Sequence, residues 1–77
     1  MVAFELWETR SGNLMGSYET EDLALAAVSE ALDSHGADYI DTVALVREGP
    51  RGRSKTIATG AKLAARARAA DRRAVSA

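Results

Sequence analysis

Alternating apolar and polar residues at the start of the chain predict a β-hairpin. Residues 2–9 place Phe4 and Leu6 on one face of a strand, with a period of two residues. Residues 14–19 repeat this alternation, which predicts a second strand. The intervening Arg10-Ser11-Gly12 predicts a three-residue loop with Gly12 in the left-handed conformation.

The turn and the apolar pattern favour the same register for this hairpin. It pairs Thr9 with Asn13, Phe4 with Tyr18, Leu6 with Gly16, and Trp7 with Met15. One face then belongs to the core. The other face carries an uncovered pair, Trp7 and Met15, which we expect at an apolar interface.

A helix is predicted after the hairpin. Thr20 is a favourable N-cap, and Gly36 is a natural residue to follow the last turn. Between them, Leu25, Val28 and Leu32 recur at helical spacing and form an apolar stripe.

A second hairpin and a second helix complete the pattern. Residues 41–47 are apolar on both faces, which indicates a central strand. Residues 48–54 predict a turn-rich loop, and residues 55–59 predict a short strand. A final helix beginning near Gly60 has a thin apolar face, on which Leu63 is the large residue.

The order β-β-α-β-β-α predicts an α+β fold in a single domain, residues 1–77. We expect a four-stranded antiparallel sheet with the first helix packed on it, formed by residues 1–59. Residues 60–77 are expected to form a basic C-terminal helix with a frayed end. That helix is predicted either to cover the second face of the sheet or to reach a partner.

Charge is distributed very unevenly along the chain. Residues 1–46 contain one arginine and nine carboxylates, whereas residues 47–77 contain nine Lys or Arg and two carboxylates. These halves, at -8 and +7, account for the formal net charge of -1. The acidic first helix could therefore face the basic helix of the same chain, the basic helix of a second copy, or a basic surface of another protein.

Composition argues against most enzyme classes and metal sites. The chain has no cysteine and one histidine, so neither a disulfide nor a zinc site is expected. His35 has no nucleophile at the spacing of a catalytic triad. We expect a non-enzymatic, soluble, cytoplasmic protein with no cofactor and no membrane span.

A chain of 77 residues buries a limited core, so self-association, most simply as a homodimer, is expected. A protein partner is favoured over nucleic acid, because no aromatic residues are interspersed with the cations for base stacking. The predicted interface residues are Trp7, Met15 and Leu63. The predicted partner-binding residues are Arg51, Arg53, Lys62, Arg66, Arg68, Arg72 and Arg73.

The element order resembles that of small bacterial antitoxin-like and regulatory domains, which is a likeness of architecture alone. It implies a regulatory interaction module, as in one member of a toxin–antitoxin pair. The alternative is a nucleic-acid-binding module that uses the basic C-terminal helix and the 49–54 loop.

Overall fold

The computed structural model describes the backbone of residues 3–76 and the side chains of residues 3–73. Within that range, four strands form one antiparallel sheet in the order β2-β1-β3-β4, as the sequence predicted. The strands are β1 (Ala3–Glu8), β2 (Asn13–Tyr18), β3 (Val43–Glu48) and β4 (Ser54–Thr59). The helices are α1 (Glu21–His35), α2 (Ala37–Ile40) and α3 (Gly60–Ser76). The α+β class and the central position of β3 are both confirmed.

The first hairpin differs from its predicted register at one end. Phe4 lies opposite Tyr18 and Leu6 opposite Gly16, as predicted, but Trp7 lies opposite Leu14. Met15 is the extra residue of a β-bulge, so the predicted Trp7–Met15 pairing is wrong.

The turn of this hairpin is also one residue longer than predicted. Glu8, rather than Thr9, is the residue paired with Asn13. Gly12 does adopt the left-handed conformation, with φ of 74°. The Gly12 amide donates to the Glu8 carbonyl at 2.9 Å, which closes the turn.

Helix α1 has the ends that its sequence predicts. The Thr20 hydroxyl accepts a hydrogen bond from the Leu23 amide at 3.1 Å, which satisfies one free donor of the first turn. Gly36 ends the helix with φ of 85°, a backbone conformation that residues with a Cβ rarely adopt. The stripe of Leu25, Val28 and Leu32 is buried against the sheet.

The segment before β3 forms a short helix, whereas the predicted order had no helix between the first helix and the third strand. Helix α2 is stabilised where the Tyr39 amide donates to the Gly36 carbonyl at 3.3 Å. Its single turn places Ile40 in the core, with 1% of its surface exposed. Burial of one large apolar side chain thus favours a helical turn over an extended segment.

Helix α3 packs beside α1 on the same face of the sheet. Leu63 and Ala67 are fully buried in one cluster with the α1 stripe and with Leu6 and Leu45 of the sheet. The alternative in which α3 covers the second face is therefore wrong, whereas a contact between α3 and a partner stays a prediction. Small alanines let the helices approach closely, so one large residue is enough to anchor α3. Its predicted frayed end lies partly outside the described residues, since Ala77 is not described.

The result is a two-layer molecule, with helices on one side and the sheet on the other. Its overall extents are 35 × 31 × 16 Å, and the short dimension matches two packed layers. The core lies between the layers, so the second face of the sheet has no helix of the described residues over it.

Candidate interaction surfaces

The basic helix and the acidic helix neutralise one another within the chain. Arg66 Nε donates to Glu21 Oε2 at 3.0 Å, and Arg68 Nη2 donates to Asp33 Oδ1 at 2.8 Å. Both pairs join α3 to α1 and are partly exposed, so each contributes no more than about 1 kcal/mol.

A buried hydroxyl links the same two helices. Ser29 on α1 is 4% exposed, and its hydroxyl donates to an Asp71 carboxylate oxygen on α3. Arg68 Nη1 donates to the same Ser29 Oγ at 3.0 Å and lies 3.6 Å from Asp71 Oδ2. Each polar group in this cluster therefore has a partner, which fixes the lateral position of α3 on α1.

These contacts give Arg66 and Arg68 an intramolecular role, the first of the alternatives that the charge pattern allowed. The other predicted partner-binding residues of α3, Lys62, Arg72 and Arg73, have exposed side chains. Leu63 is 0% exposed, so its prediction as an interface residue is wrong. Its side chain belongs to the core because α3 packs on this chain's own sheet.

The side of the sheet that no described helix covers, which we call the open face, includes two cross-strand rows of side chains. One row reads Leu14, Trp7, Ala44, Thr59 from β2 to β4. The next row reads Ser17, Glu5, Val46, Thr56. Leu14 is 49% exposed, and Trp7 and Val46 are half-buried. Trp7 was predicted on this surface, whereas its actual neighbour Leu14 was missed because the bulge could not be foreseen.

Two carboxylates lie side by side on the open face. A hydrogen bond that protonated Glu48 donates to Glu5, together with the charge of Glu5, raises the pKa of the Glu48 carboxyl. Trp7 Nε1 also donates to Glu5 Oε1 at 3.2 Å. The sequence assigned Glu48 to a loop, so this pair was not predicted. It gives the open face a hydrogen-bonding site that depends on pH.

A third carboxylate stabilises the first hairpin turn. The Arg10 and Ser11 amides donate to Glu8 at 3.0 and 2.6 Å, and the Ser11 hydroxyl donates as well. These bonds to the ionised form lower the pKa of Glu8 from 4.5 to about 2, the Ser11 hydroxyl contributing most. Glu8 is therefore a structural residue of the turn.

The β3–β4 hairpin carries a cluster of cations. A concavity of about 480 Å³ at its end is lined by Arg47, Arg53 and Lys55, together with Gly49, Pro50 and Ser54. Arg51 lies at the turn and is the non-glycine residue with a positive φ, 66°, among those described. Arg51 and Arg53 were predicted as binding residues, whereas Arg47 and Lys55 were not.

An apolar groove of about 250 Å³ opens between β2, α1 and α2. Met15 lies at this groove, on the helix side, because the bulge turns it away from the open face. Its predicted place beside Trp7 is therefore wrong. The His35 and Tyr39 rings are in contact at the groove, with centroids 4.6 Å apart and planes tilted by 31°.

Comparison with protein-family models, with curated proteins and with solved structures found no significant match to this chain. Among residues 3–73, no three His, Asp or Glu side chains are grouped so that they could hold a metal ion. No helix in the described range is long and apolar enough to cross a lipid bilayer.

Proposed function

We propose that this chain is a non-catalytic interaction module that self-associates by stacking the open faces of two sheets. The observation that carries the proposal is the apolar pair of Leu14, 49% exposed, and Trp7, half-buried, on a face that no described helix covers. Sheets bury such faces by packing against a second layer. Here the helices are already used on the other side.

A second copy suits this face because its polar groups are complementary to themselves. The carboxylates Glu5 and Glu48 can accept hydrogen bonds, and the exposed β4 hydroxyls of Ser54, Thr56 and Thr59 can donate them. A two-fold axis between the copies can place the carboxylates of one copy opposite the β4 hydroxyls of the other. The broad face of a molecule measuring 35 × 31 Å also has room for the roughly 800 Å² per partner that stable interfaces bury.

Sedimentation analysis of wild type and two matched variants tests this proposal. Wild type is expected to sediment as a dimer, and Trp7→Glu as a monomer, because the substitution places a charge beside Leu14 in the proposed apolar interface. Leu23→Glu is the control, since Leu23 is a 53% exposed leucine on the helix layer and gains the same charge. A monomeric wild type at high concentration, or equal dissociation by both variants, refutes the proposal.

A second protein partner and an antitoxin-like role remain predictions from the charge pattern and the element order. Lys62, Arg72 and Arg73 are the α3 residues whose exposed cations support such a contact. Co-purification of a partner through wild type, lost on substituting Lys62 and Arg73 by glutamine, is the experiment that tests this role.

A further inference from the structure

The cations of the β3–β4 hairpin differ from Arg66 and Arg68 of α3 in lacking acidic partners among the described residues. Arg66 and Arg68 are neutralised by α1, but Arg47, Arg51, Arg53 and Lys55 make no ion pair with any described residue. All four side chains are exposed. The unbalanced positive charge of the basic half is therefore concentrated, in large part, at this hairpin.

The sheet register separates these cations from the nearest carboxylates. Arg47 and Lys55 are cross-strand partners in the row of Phe4, whose side chain packs on the helix side. Glu48 and Glu5 belong to the alternate rows, on the open face. The alternation of strand side chains thus leaves a positively charged helix-side surface at the hairpin.

The turn holds an arginine where glycine is the usual residue. Arg51 has φ of 66° and ψ of 24°, and Gly52 follows with φ of 73°. The left-handed backbone conformation is unfavourable for a residue that has a Cβ. The turn therefore places an exposed cation, Arg51, at the tip of the hairpin.

We infer that the β3–β4 hairpin binds the phosphate backbone of double-stranded nucleic acid. Arginine guanidinium groups form paired hydrogen bonds with phosphate oxygens, and the Lys55 ammonium adds a further charge. The described hairpin residues include no aromatic ring on which an unpaired base could stack, which favours a duplex over a single strand. A two-stranded ribbon also fits the major groove of a duplex. This inference does not depend on self-association.

Fluorescence anisotropy with a labelled DNA duplex of about 20 base pairs tests it, over about 50 to 200 mM salt. If all four cations contact phosphates, the slope of log K against log salt is about -3.6. Arg51→Gln with Arg53→Gln is expected to halve that slope and to weaken binding at least tenfold. The matched control, Lys62→Gln with Arg73→Gln, removes the same charge from α3 and is expected to keep the wild-type slope.

Three results overturn the inference. They are no binding by wild type at the lowest salt, an equal loss in both double variants, and equally effective competition by polyglutamate of matched charge. The last result would assign the hairpin to an acidic protein instead. Circular dichroism verifies that each variant is folded. If the turn substitutions disrupt the hairpin, Arg47→Gln with Lys55→Gln provides the same test from the strands.

Discussion

The substitution Leu63→Ala tests whether α3 is part of the core or a separate arm. Leu63 is 0% exposed and is the one large apolar residue on the part of α3 whose side chains are described. Truncating a fully buried leucine costs about 2–5 kcal/mol, so we expect a loss of about 3 kcal/mol. A domain of this size has a total stability of about 4–12 kcal/mol, so the loss is a large fraction of it.

The measurements are urea and thermal unfolding followed by far-UV circular dichroism, at one fixed protein concentration, because the proposed self-association would add to stability. The melting temperature should fall by roughly 12–24 °C, since a domain this small loses about 4–8 °C per kcal/mol. Leu23→Ala is the matched control. Leu23 is 53% exposed, and its truncation should change the stability by no more than about 0.5 kcal/mol. Equal effects of the two substitutions would refute the packing of α3 in the core.

Three further predictions concern the charged groups. Ionised Glu8 stabilises wild type above pH 4.5, and this stabilisation is lost as the pH falls toward 2, so Glu8→Gln should be less stable than wild type only at the higher pH. Urea unfolding across that range would contradict this if the difference in unfolding free energy between the two proteins stayed constant. Glu5→Gln should lower the pKa of Glu48, measured by NMR titration. Because the pKa of Glu48 is raised in the folded state, protonated Glu48 stabilises the fold at low pH, and this stabilisation is lost as the pH rises through that pKa. An unchanged Glu48 titration in Glu5→Gln would exclude the pairing. A double-mutant cycle of Arg68→Met and Asp33→Asn should give a coupling of about 0.3–1 kcal/mol that decreases in high salt, and zero coupling at low salt would count against the pair.

The features that local physics determines were predictable from the sequence. Thr20 and Gly36 bound α1 because a side-chain cap and a left-handed residue are local requirements. The two apolar faces of residues 41–47 indicated a central strand, and β3 is indeed paired with a strand on each edge.

The features that were missed depend on contacts between distant parts of the chain. Placing α3 beside α1 requires knowing that Leu63 finds room in the α1 cluster, which its own thin apolar face does not reveal. The bulge at Met15 was missed because the prediction assumed an unbroken alternation of side chains along β2. A bulge adds one unpaired residue and breaks that alternation. Glu48 was assigned to a loop, so its pairing with Glu5 could not be anticipated.

The candidate site was only partly predictable for the same reason. The sequence located a basic half but could not show which cations meet acids in the folded chain. Arg66 and Arg68 reach α1 because the helices pack side by side, whereas the residues of the β3–β4 hairpin extend beyond that contact. Folding thus pairs Arg66 and Arg68 with α1 and leaves exposed cations at the β3–β4 hairpin and on the outer side of α3.

Both bulges of the sheet lie in its edge strands, and this has a consequence for aggregation. Met15 is the extra residue of β2, and Ile57 is the extra residue of β4, while the central strands are regular. A bulge twists an edge and interrupts its row of free amides and carbonyls, so another strand cannot add to it in register. The two edges are therefore guarded against strand addition of the kind that leads to fibres, and growth of the sheet from copy to copy is opposed at either end.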